Sequence, residues 1–192
     1  MGKADILSIL KSNNTVFSFK EILLTSGERN PALLRRRIYS YLKNGQLYGI
    51  RRGLYAKDKN YNKLELATKI FIPAYVSFET VLTKAGIIFQ HYSQIFVASY
   101  QTKDINCDGQ LFSFKKLKPN ILNNNNGIEN KDYYSLASKE RAFLDVVYLH
   151  KDYHFDNLSP LDWPKVFSML PLYGNKRMVG KVNEYYNDFK SK

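Results

Sequence analysis

The sequence predicts an α+β fold in two parts, and three observations carry that prediction. Residues 30–57 run from a basic helical stretch through a glycine stop into a short apolar ribbon whose turn reads Arg51-Arg52-Gly53. Positive charge is concentrated in front: residues 1–60 hold 12 Lys/Arg against 4 Asp/Glu, while residues 61–192 hold 17 against 13. After residue 60 the pattern changes to helix, short strands and then helices, an order that belongs to the α+β class. The expected architecture is an N-terminal winged helix-turn-helix over residues 1–59, followed by a mixed α/β C-terminal domain over residues 60–192.

The elements follow in order. Ile6, Leu7, Ile9 and Leu10 have the spacing of a short helix that ends near Ser12-Asn13-Asn14. Ser18-Phe19-Lys20-Glu21 is a capping box, with the Ser18 oxygen taking the N3 amide and Glu21 reaching back. Gly27 stops that second helix. Asn30-Pro31 opens a third: Asn30 caps, and Pro31 fills the first helical position, where a missing N–H costs nothing. Gly45 ends it. The ribbon then runs Gln46–Ile50 and Leu54–Lys57, with Gly53 supplying the positive φ of a tight turn. Tyr48 and Tyr55 are expected to pack it onto the helices.

Asp58-Lys59-Asn60 is a polar junction. Beyond it, Leu64, Leu66, Ala67, Ile70 and Phe71 predict a helix closed by Pro73, and Ser77 is expected to cap another that ends at Gly86. Strands are expected at Gln94–Gln101, Leu111–Leu117 and Tyr133–Ala137, with an exposed asparagine loop at Asn123–Gly127. Ser138 should cap a strong helix carrying Ala142, Phe143, Val146, Val147 and Leu149, and helices are expected over Asp162–Leu170 and Lys176–Phe189.

The third helix divides by face. Leu34, Ile38, Tyr41 and Leu42 form a core stripe. Three consecutive arginines fan through about 200° of helix, so Arg36, with Tyr39, Ser40 and Lys43, lies opposite that stripe while Arg35 and Arg37 flank it. A helix entering the major groove needs such a face, since a guanidinium forks onto guanine and both Arg and Lys bind phosphate. Arg51 and Arg52 at the ribbon turn are placed to grip phosphate or enter a narrow minor groove. The expected DNA-binding set is therefore Arg35, Arg36, Arg37, Ser40, Lys43, Arg51 and Arg52.

Other chemistries find little support. The one cysteine, Cys107, rules out an intrachain disulfide; its Asn-Cys-Asp-Gly turn suggests exposure, and no base stands near it in sequence. His150 and His154 are four apart where a helix is ending, which does not make a metal pair. No apolar run approaches the roughly 18 residues that span a bilayer, and Met1–Asp5 begins no signal peptide. The expectation is a cytoplasmic protein without cofactor or metal. Among the acidic residues, Arg141 and Asp145 are four apart and read as an ordinary helix ion pair. Glu140 sits in a first turn, favoured by the helix dipole. No catalytic residue is assigned.

Three segments together resemble the AbiEi family, the antitoxin half of AbiE-type (type IV) toxin–antitoxin systems. They are Ile50-Arg51-Arg52-Gly53-Leu54-Tyr55, Tyr75-Val76-Ser77-Phe78-Glu79-Thr80-Val81-Leu82 running to Gly86-Ile87, and Ala137-Ser138-Lys139-Glu140-Arg141-Ala142-Phe143-Leu144-Asp145. The resemblance covers residues 1 to about 150. It implies an N-terminal winged helix that binds inverted repeats at the protein's own promoter, as a dimer or as two protomers, and represses the operon. It implies a C-terminal domain that counteracts a nucleotidyltransferase-like toxin. Ser77, Glu79, Glu140, Arg141 and Asp145 fall in the C-terminal motifs as caps, ion pairs or partner contacts. Ala85 stands where the family pattern has a histidine, so no role of that histidine carries over. Two other readings stay open: a winged-helix regulator whose C-terminal domain senses a ligand or mediates assembly, and a nucleic-acid-processing enzyme.

Overall fold

Local capping chemistry sets the first elements of the computed structural model, which describes residues 6–131 and 133–191. Met1–Asp5 lies outside the described residues. A helix α1 (Ile6–Lys11) leads into a strand β1 (Val16–Ser18) and helix α2 (Phe19–Ser26). Both halves of the capping box are present: the Glu21 amide donates to Ser18 Oγ, and the Ser18 amide donates to the Glu21 carboxylate at 2.6 Å. Gly27 ends α2 at φ 63°, a left-handed geometry that a Cβ disfavours. Asn30 caps α3 (Pro31–Lys43) by accepting from the Ala32 and Leu33 amides. Strands β2 (Tyr48–Arg51) and β3 (Leu54–Ala56) form the hairpin, and a helix α4 (Lys63–Ile70) follows.

β1 was not anticipated. It pairs antiparallel with β3, so the hairpin becomes a three-stranded sheet in the order β1-β3-β2. Ile9, Phe17, Ile22, Leu34 and Ile38 form the core, with Phe19, Leu23, Leu42 and Tyr55 packed around it. Tyr41 of the expected stripe is only half-buried. Tyr55 packs on the core, whereas Tyr48 stacks on Tyr61 with ring centroids 6.3 Å apart.

The compact units divide at Ile70/Phe71, beyond the polar junction at Asp58-Lys59-Asn60. Polar contacts explain why α4 belongs with the first unit. The buried Glu65 accepts from the Thr15 amide at 2.9 Å and its hydroxyl at 2.6 Å. Lys69 lies 3.1 Å from Glu65 and 3.0 Å from Glu21, and donates to the Val16 carbonyl at 2.6 Å.

The second unit is built on a mixed sheet. Its elements are β4 (Ala74–Val76), α5 (Glu79–Lys84), β5 (Ile95–Ser99), β6 (Lys103–Cys107), β7 (Gln110–Lys116), α6 (Pro119–Leu122), β8 (Ile128–Lys131) and β9 (Tyr134–Ala137). Then come α7 (Lys139–Leu149), α8 (Trp163–Met169), a 3-10 turn at Leu170–Tyr173 and α9 (Lys176–Lys190). The strand order is β6-β7-β5-β4-β9-β8, with β5–β7 and β4–β9 parallel and the other pairs antiparallel. β6, β8 and α6 were not read from the sequence. α7 is buried almost throughout, from Glu140 to Val147. Cys107 is buried at the end of β6, not exposed as its turn setting suggested. Among the described residues, no helix is long and apolar enough to cross a membrane. The chain is thus α+β with one mixed sheet.

Candidate functional site

In the first unit, α3 turns one face outward. Arg35, Arg36, Tyr39, Ser40 and Lys43 are exposed, while Leu34 and Ile38 are buried on the other side. The Arg35 guanidinium lies over the Phe19 ring, 4.8 Å from its centroid, which restricts its stem without consuming its charge. Arg37 differs from its neighbours. It is half-buried and forms an ion pair with Glu28 at 3.0 Å, so it stands partly committed to the turn between α2 and α3. Arg51 and Arg52 are exposed where the hairpin reverses, and Gly53 takes φ 81° there. The Gly53 carbonyl accepts from the Phe19 amide at 2.9 Å, anchoring the turn to the start of α2.

This surface has the composition that binding a polyanion requires: cations free in solvent on a rigid helix and beside a short turn. Among the described residues, no group of three His, Cys, Asp or Glu side chains could hold a metal ion.

In the second unit, three of the five motif residues converge. Ser77, Arg141 and Asp145 meet in a polar cluster that is fully buried, the two charged side chains showing 0% exposure each. The Arg141–Asp145 pair, at 3.4 Å, is therefore not a surface helix pair as its spacing suggested. Asp145 Oδ2 accepts from Tyr75 at 3.0 Å and Ser77 at 2.7 Å. Its Oδ1 accepts from Tyr173 at 2.6 Å and Arg141 Nε at 3.4 Å. Ser77 consequently does not cap α5. Its hydroxyl is spent on Asp145, and the cap position is taken by buried Phe78 at φ 55°, without a side-chain cap bond.

Arg141 holds more than its carboxylate. Nη2 donates to Tyr75 Oη at 3.0 Å and to the Ile121 carbonyl at 2.7 Å, and Nη1 donates to the Asn126 carbonyl at 2.8 Å. The asparagine loop, exposed in its side chains, is thereby tethered by its backbone. Burial pushes the Asp145 carboxyl up while Arg141 and the three hydroxyls pull it down. Burial, reinforced by the Asp145 charge, raises the Tyr75 and Tyr173 hydroxyls well above their ordinary range, so they remain neutral donors. Sequence reading missed Tyr75 and Tyr173; the signal for Tyr75 was its place two residues before Ser77, in β4 just ahead of it, where extended backbone turns alternate side chains the same way.

Glu79 and Glu140 lie apart from this cluster. Glu79 is buried; the Tyr153 hydroxyl that faces it is pushed up by burial first and then by the Glu79 charge. Glu140 is buried at 4% exposure, accepts from the Asp162 amide at 3.2 Å, and lines a groove of about 670 Å³ with Gly127, Glu129, Lys139, Asp162 and Lys165. Gly127 is fixed by its surroundings: φ is 74°, and a Cβ would stand 2.6 Å from Met169 Sδ.

No protein-family model matches the chain, and no curated protein matches it.

Proposed function

We propose that the chain is a DNA-binding autorepressor and antitoxin of a toxin–antitoxin operon, acting in the cytoplasm without catalysis or cofactor. On this reading the first unit is a winged helix, α3 is its recognition helix and the β2–β3 hairpin its wing. The observation that carries the reading is the outward face of α3, where Arg35, Arg36, Ser40 and Lys43 are exposed on one 13-residue helix, joined in the same unit by exposed Arg51 and Arg52. Helix side chains would read base edges in the major groove, and the wing would contact the flanking backbone. Arg37 would contribute least, because Glu28 already neutralises it.

The antitoxin half rests on the sequence resemblance. The second unit would counteract a nucleotidyltransferase-like toxin, with the buried Arg141–Asp145 cluster supporting the fold and the surface around it meeting the partner. The protein would read inverted repeats in its own promoter through two copies of the first unit.

Footprinting on the DNA upstream of the chain's own gene tests the regulatory half. The expected result is protection of an inverted repeat, with unrelated duplex failing to compete at equal concentration; equal competition by any duplex contradicts it. Co-expression with a neighbouring nucleotidyltransferase-like gene tests the other half. Growth rescue by the full chain is expected, and continued growth arrest despite full expression contradicts it.

A further inference from the structure

One residue on the outward face of α3 brings a large aromatic ring where its neighbours bring charge. Tyr39 is 70% exposed, a large aromatic ring held in solvent among cations. At about 100° per residue, Arg36 and Lys43 mark the centre of the outward face, Ser40 lies about 40° to one side and Tyr39 about 60° to the other. Ala32, also exposed, falls on the Tyr39 side of that centre. The core stripe of Leu34 and Ile38 is on the far side of the helix, so the Tyr39 ring has no part in the core of its own unit. A single exposed ring is ordinary on a protein surface; this one is distinguished by its place among the cations of α3, whose charge selects an anionic occupant.

We propose that Tyr39 is a specificity-determining residue that packs its ring against a thymine methyl group in the major groove, beside a base contacted by Arg36. The inference rests on the DNA-binding reading of α3 and deepens it. The major groove offers one apolar group for such a ring, the thymine C5-methyl, while guanine beside it offers the O6/N7 pair that an arginine fork takes. A helix carrying a guanidinium and an aromatic ring about 60° apart on its outer face matches that pairing of polar and apolar targets. The sites it selects therefore contain thymine next to guanine.

The test uses the full chain and duplexes it enriches from a random-sequence pool, each compared with the same duplex carrying deoxyuridine in place of thymidine. Loss of one buried methyl weakens binding by about fourfold. The native protein and Tyr39→Phe are expected to prefer the thymidine duplex by that factor, because the ring makes the contact. Tyr39→Ala is expected to bind the thymidine duplex less tightly and to lose the preference. Salt-dependent binding with no thymidine preference in the native protein overturns the inference while leaving the DNA-binding reading intact. So does a preference that survives in Tyr39→Ala, a loss of preference in Tyr39→Phe, or an enriched consensus without thymine. Absence of any duplex binding overturns both.

Discussion

Replacing Asp145 by Asn removes one charge from the centre of the second unit and leaves everything around it in place. Arg141, with 0% exposure, then keeps a buried positive charge with no counter-ion. The three hydroxyls of Tyr75, Ser77 and Tyr173 lose their common acceptor for a group that presents N–H donors on one side. Breaking a buried pair in this way costs about 3–5 kcal/mol, a large share of the roughly 5–15 kcal/mol that holds a domain folded. The single tryptophan, Trp163, is buried in the same unit and reports its unfolding without contribution from the first. With a urea slope of about 2 kcal/mol/M, the fluorescence midpoint should fall by about 2 M. A fall of less than about 0.3 M would refute the claim that this cluster supports the unit.

Other predictions follow from single contacts. A chain ending at residue 59 lacks Glu65 and Lys69, which satisfy Thr15 and Val16; it should lose the cooperative melt that a chain ending at residue 70 retains, as seen by circular dichroism, and equal melts would show α4 to be dispensable. Burial raises the Glu21 carboxyl, but the Ser18 amide and Lys69 outweigh it and hold it below its ordinary 4.5. A carboxylate depressed on folding stabilises above its unfolded value and loses that effect as the pH falls through its folded one. Glu21→Gln should therefore flatten the acid-side loss of α2 stability followed by NMR, and an unchanged acid limb would contradict the assignment. Gly127→Ala forces a side chain onto φ 74° and against Met169 Sδ, so it should cost at least the roughly 1–2 kcal/mol of the backbone strain alone, read again through Trp163; no shift in midpoint would mean the loop relaxes freely.

What the sequence made legible was chemistry confined to a few consecutive residues. Ser18 with Glu21, Asn30 with Pro31, and Ser138 with the Arg141 amide are caps whose partners lie within one turn, and each forms as spaced. Ser77 had the same local appearance, yet its hydroxyl goes to Asp145, 68 residues later. The hydroxyl goes there because a buried carboxylate accepts a charge-assisted hydrogen bond, stronger than the neutral bond an N-cap would make. β1 escaped notice because three residues carry no period and its pairing comes only from β3. The i,i+4 spacing of Arg141 and Asp145 was readable as a pair, but its burial depended on Tyr75, Tyr173 and the carbonyls of the asparagine loop, which the fold brings from separate segments. The α3 surface, by contrast, is a property of one helix, so its exposed face could be drawn from the spacing of Leu34 and Ile38 alone.

The most direct test of the central claim is the salt dependence of duplex binding by the full chain and by Arg51→Ala/Arg52→Ala. About four to six phosphate contacts per protomer give a log–log slope of about −4 to −5. The account predicts that slope for the native chain, and weaker binding with a slope flattened by about 2 for the double variant. A native slope near zero would contradict DNA binding by this surface, and an unchanged slope and affinity in the double variant would remove the hairpin from it.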